Sequence, residues 1–78
     1  MQKYDDFRQY AVDHDWHEFA YQVFRHYNPA TNMVYIINTE IMSFSAHYPH
    51  ESSSLIFKEG LSKTDLKTLL KVFGRKLD

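Results

Sequence analysis

The chain has no cysteine, only two glycines and two prolines, and no long apolar run. Without cysteine there is no disulfide framework, no Cys-ligated zinc finger and no redox signal. The same absence fits the cytoplasm, which is the expected compartment. No window approaches 18 consecutive apolar residues, so no membrane-spanning segment and no membrane partner is expected. The opening residues Met1-Gln2-Lys3-Tyr4-Asp5-Asp6 lack the basic-then-apolar pattern of a secretory leader. Also missing are a glycine-rich phosphate loop, a cysteine nucleophile and a nucleophile elbow. No catalytic residue and no cofactor is assigned on these grounds, and a non-enzymatic role is expected.

What is present points to a folded chain. Hydrophobic residues make up 44% of the 78, which is enough to bury a small core. A length of 78 residues allows one small globular domain, 1–78. Such a domain buries a limited fraction of its surface, and the aromatic content of 17% compensates with large rings. Net charge is −1, but the sum hides a split. Residues 1–57 carry three Lys or Arg against seven Asp or Glu; residues 58–78 carry six against three. That asymmetry bears on partners rather than on fold.

The stretch Phe19 to Ile41 reads as a hairpin centred on Asn28-Pro29-Ala30-Thr31-Asn32. Pro29 sets φ for the first corner of a type I turn, Asn28 accepts a backbone N–H, and Asn32 tolerates φ > 0. The flanks are aromatic and β-branched, as strands prefer. With Pro29–Asn32 as the loop, Tyr27 faces Val34, Phe24 faces Ile37 and Phe19 faces Met42. A competing pattern, Trp16, Ala20, Val23 and Tyr27, fits an amphipathic helix over 16–27. The second strand runs from Met33 to Ser43 or Phe44, unless Asn38-Thr39-Glu40 turns the chain and splits it.

Residues 3–14 read as a helix through Tyr4, Phe7, Ala11 and His14, with Tyr10 beside them and a break near Asp15. Residues 46–53 form a polar loop, and Ser54 to Lys58 a short strand ended by Glu59-Gly60. The final helix opens at an N-cap, Ser62, with Asp65 three residues on and a staple between Leu61 and Leu66. Leu66, Leu69, Leu70, Phe73 and Leu77 form its apolar stripe, and Gly74 reads as its C-cap or fraying point.

The order is α-β-β-β-α: a two-layer α+β domain with an antiparallel sheet of three or four strands and the helices on one face. The alternative is α-α-β-β-β-α. The α-β-β-β-α order is similar to that of double-stranded-RNA-binding domains and small toxin folds related to them. In that family a lysine-rich motif opens the last helix. Here Ser62-Lys63-Thr64-Asp65-Leu66-Lys67 stands at that place, with Asp65 between the cations.

Binding candidates follow from this layout. Lys63, Lys67, Lys71 and Arg75 recur every four residues and form one ridge on the last helix. Such a ridge can follow phosphates; it is equally what a solvated helix face looks like. Arg25 and Tyr35, with Tyr21, Phe24, Ile36 and Phe44, are candidates for a sheet face that stacks bases or meets a protein. The competing expectation is that most of these rings fill the core. His14/His17 and His47/His50 form two His-x-x-His-Glu runs. Four imidazoles suit Zn²⁺, but two pairs so placed need not meet, and no metal is assigned. His26 is a general-base candidate.

The leading expectation is a non-catalytic binding or regulatory domain acting by protein–protein contact, including self-association. The alternatives are nucleic-acid binding through the basic ridge and a small His-dependent enzyme or toxin-like nuclease.

Overall fold

The computed structural model describes residues 3–51 and 54–74. The elements are α1 (Lys3–Asp13), β1 (His17–Ala20), β2 (Val23–Asn28), β3 (Met33–Asn38), β4 (Ser43–His47), β5 (Ile56–Lys58) and α2 (Lys63–Phe73). All five strands pair antiparallel in chain order, β1-β2-β3-β4-β5. The α+β class therefore holds. The strand number is higher than the three or four expected, and the three-stranded RNA-binding architecture is not reproduced.

Two turns without Gly or Pro account for the difference. At Tyr21–Gln22 the chain reverses between β1 and β2, with Gln22 at φ 61°. The Glu18 carboxylate accepts the Gln22 N–H at 2.9 Å and holds the corner. Neither a continuous strand nor a helix over 16–27 forms, and Phe19 is carried away from Met42. At Thr39–Met42 the chain reverses again, with Met42 at φ 56°. There the Asn38 side chain accepts N–H bonds from Glu40 and Ile41. Asn28 accepts from Ala30 in the central loop, and Asn32 sits at φ 57°. The two loops thus share one plan: an Asn that folds the chain back and a left-handed residue four positions on. Asp15, Gln22, Asn32 and Met42 all take positive φ, a conformation costing a non-glycine residue about 1–2 kcal/mol, least for Asn and Asp.

The central register is the expected one: Tyr27 opposes Val34 and Phe24 opposes Ile37. Opposed residues share a sheet face. One face therefore carries Phe24 and His26 of β2, Tyr35 and Ile37 of β3, and Phe44 and Ala46 of β4. These pack with Phe7 and Ala11 of α1, Trp16, and Leu66 and Leu70 of α2. Both helices thus lie on that face. Phe24, Ile37, Leu66 and Leu70 are completely enclosed, each worth about 1.5–3 kcal/mol. Phe73 joins Tyr35 (4.8 Å between ring centroids) and Phe44 (5.2 Å) in a ring cluster.

The helix ends are built as the residues suggest. α1 closes in a Schellman motif: Trp16 N–H donates to Ala11 O at 2.8 Å and Asp15 N–H to Val12 O at 3.1 Å. Asp15, at φ 68°, takes the place usually held by glycine. α2 opens in a capping box in which Ser62 and Asp65 each bond the other's backbone N–H. Its C-cap is Gly74, and the reason is contact, not φ. A Cβ there would lie 2.3 Å from the indole nitrogen of Trp16 and 2.6 Å from His14 O. That indole N–H donates to Leu70 O at 2.9 Å, tying the start of the sheet to the end of α2. Tyr4's side chain and Leu77 lie outside the described residues.

Candidate functional site

The basic ridge divides on the folded chain. Lys63 and Lys71 are exposed, while Lys67 is half-buried with Nζ 5.8 Å from the ring centroids of both Phe7 and Tyr10. Lys67 thus sits in the seam between the helices, where a cation over aromatic faces adds on the order of 1 kcal/mol. Arg75 lies outside the described residues.

Tyr35 is 5% exposed, because its position faces the helices; Phe24 and Phe44 are buried with it. These rings belong to the core and not to an open sheet face. Tyr21 is exposed in the β1–β2 turn, and Ile36 lies on the outer face beside Arg25.

The histidines go to separate places. His14 donates from Nδ1 to Tyr10 O at 2.8 Å and stacks on the Tyr10 ring. His17 opposes Arg25 on the outer face, His47 opposes Val34, and His50 lies in the loop after β4. Among the described residues no three His, Asp or Glu side chains gather in a way that would hold a metal. His26 is 7% exposed. Its Nδ1–H donates to Asp15 O at 2.9 Å, which leaves Nε2 as the ring's acceptor. The Asp15 carboxylate is 3.9 Å from the same Nδ1, and the Trp16 ring lies 5.5 Å away. This imidazole lines a pocket of about 320 Å³ with Asp15, Tyr27, Asn28, Pro29 and Gly74. Asp15 orients it chiefly through the main chain, in the left-handed conformation that ends α1.

A second pocket opens on the outer face. It measures about 370 Å³ and is lined by Arg25, Tyr27, Asn32, Pro49 and His50. Arg25 and Tyr27 are neighbours on β2, about 7 Å apart along the strand. Pro49 and His50 come from the loop after β4, so that loop reaches back across β3 to β2. Val34 opposes Tyr27 on the outer face and is only 1% exposed.

The sheet ends differ in chemistry. β1 is four residues long and bulged between Glu18 and Ala20. Glu18 points toward α1 and pairs with Arg8, Nε to Oε1 at 2.8 Å and Nη2 to Oε2 at 3.3 Å. At the other end, Leu55, Ile56 and Phe57 are 55%, 44% and 56% exposed. The sequence held a signal for this patch: three consecutive apolar residues, without alternation, expect cover on both faces. The meeting of His50 and Asn32 with Arg25 had no local signal, because it depends on where the loop after β4 lands.

No helix of the described residues is long and apolar enough to cross a membrane. Comparison with protein-family models, with curated proteins and with solved structures finds no match.

Proposed function

We propose that this protein is a small non-catalytic binding domain that makes protein–protein contacts through the β5 edge, with a second copy of itself as partner. The observation that carries the reading is the row Leu55, Ile56 and Phe57, exposed on a strand that ends the sheet. An edge strand with an exposed apolar row and no bulge or proline is a template for another strand, and Lys58 is the one charge it carries. The row also complements itself. Paired antiparallel about a two-fold axis at Ile56, Leu55 meets the second copy's Phe57, and Lys58 meets Ser54. No like charges are opposed, and the meander continues in the same antiparallel sense. Binding to nucleic acid through Lys63, Lys67, Lys71 and Arg75 has less support, since the Lys67 ammonium lies over Phe7 and Tyr10.

Sedimentation velocity up to ~0.5 mM tests this, since a dimer weaker than that contributes under about 5 kcal/mol. A concentration-dependent dimer is expected in the parent chain, and loss of it in Ile56→Lys and Phe57→Glu. A strictly monomeric parent, or a dimer unchanged by both substitutions, would refute the β5 interface.

A further inference from the structure

On the outer face, away from the β5 row, we propose that Arg25, Asn32 and His50 form a binding site for a small oxyanion, a phosphate or carboxylate group, flanked by Tyr27 for any ring the ligand carries. Four observations converge on it. The first is the donor set around the pocket of about 370 Å³. Arg25 brings a planar fork of N–H groups that matches two oxygens of one anion. The imidazole of His50 brings a ring N–H. Asn32 brings an amide whose oxygen is already occupied: the Tyr27 hydroxyl donates to Asn32 Oδ1 at 2.8 Å. Its NH₂ end is therefore the part that remains to donate.

The second observation is what the pocket lacks. Among the described residues no Asp or Glu lines it. Among the described residues the ion pairs are Arg8–Glu18 and His26–Asp15, and Arg25 is in neither. Third, the donors come from three separate stretches: β2, the β2–β3 turn and the loop after β4. That loop makes a turn closed by Glu51 N–H on Tyr48 O, and its Pro49 and His50 line the pocket with the β2 residues. Convergence of distant segments distinguishes this cluster from the α2 ridge, whose regular spacing any solvated helix face shows. Fourth, the volume is within the range of small-ligand sites, and the Tyr27 ring stands beside the fork. A ligand carrying both an oxyanion and a flat ring, such as an aryl phosphate, meets both features.

The site is independent of β5 pairing, so dimer variants leave it intact. The test is NMR titration of the full chain with inorganic phosphate, acetate and phenyl phosphate, following the Arg25 Nε–H and Asn32 side-chain amide signals. Saturable shifts on the order of millimolar are expected at these groups and at His50. Arg25→Gln should weaken binding at least tenfold, and Arg25→Lys, which keeps charge and loses the fork, by an intermediate factor. Phosphate binding without acetate binding identifies a phosphate site; equal binding identifies a general oxyanion site. Phenyl phosphate should bind several-fold tighter than phosphate, and Tyr27→Leu should remove that advantage. Absence of saturable shifts with every probe, shifts confined to the α2 lysines, or unchanged affinity in Arg25→Gln would overturn the site. A phenyl advantage that survives Tyr27→Leu would overturn the role of the ring.

Discussion

β1 and β5 close one sheet from opposite ends and both are largely exposed, but only β1 is tied to a helix by an ion pair. β1 is short, bulged at Phe19, and carries a charge turned inward to the Arg8 guanidinium of α1. β5 is shorter still and turns Leu55, Ile56 and Phe57 outward. The first edge has three of the devices by which proteins avoid unwanted strand pairing; the second has only its brevity and Lys58. The proposed interaction surface lies at the less protected of the two edges. Glu18 also has a second task, since the same carboxylate holds the turn into β2.

The sharpest way to break the contrast is to detach β1. Trp16→Ala removes a buried ring and the only described side-chain bond from this region to Leu70 O. A loss of about 3–5 kcal/mol is expected in chemical denaturation. Amide exchange should rise more in β1 than in β4, leaving two bare edges and increased aggregation. Equal protection in both strands would show that β1 is not held through Trp16.

A smaller change strips β1 of its guard and leaves its anchor. Glu18→Ala removes the Arg8 pair and the acceptor for Gln22 N–H. Because both side chains are partly in solvent, about 1–2 kcal/mol is expected rather than the full value of a buried pair. Association should no longer be confined to β5: dimerisation that Phe57→Glu abolishes in the parent should persist in part. If Phe57→Glu still gives a clean monomer in the Glu18→Ala background, the guard is not what silences β1.

The mildest test runs in the other direction. Gln22→Gly places glycine at a left-handed corner and should stabilise the β1–β2 turn by about 0.5–1 kcal/mol. A rise of a few degrees in melting temperature, with association unchanged, is the expected result. Destabilisation would mean that the Gln22 side chain contributes more than its backbone strain costs.

How much of this was legible in the sequence depends on how far the responsible atoms lie from each other along the chain. The central loop was legible because Pro29 and Asn32 carry their own turn chemistry. The cap of α2 was legible because Ser62 and Asp65 act on each other across three positions. The break near Asp15 showed as a change of apolar phase. The corner at Gln22 was not legible, and the one ending at Met42 showed only as the alternative turn at Asn38-Thr39-Glu40, because neither Gln nor Met favours φ > 0. One corner depends on Glu18, and Thr39 bridges the two turns by bonding Gln22 O from both its N–H and its hydroxyl. Tyr35 was a surface candidate although it is a core ring, because a register says which residues share a face and not which face the helices cover. Arg25 was identified from its strand and Asn32 is brought near it by the central hairpin, but His50 joins them only through the loop beyond β4.

The carbonyl of Leu70 receives both the Gly74 N–H at 3.0 Å and the indole of Trp16, across 54 residues of chain. For a polypeptide emerging from the ribosome, this sets an order of events. The successive hairpins are contacts between near neighbours and need nothing made later. The layer that seals them is half made at the outset, by α1, and is completed only when α2 follows the strands. Until then the part of the aromatic face that α2 covers is open to whatever is nearby, and α2 arrives as the lid that ends that exposure.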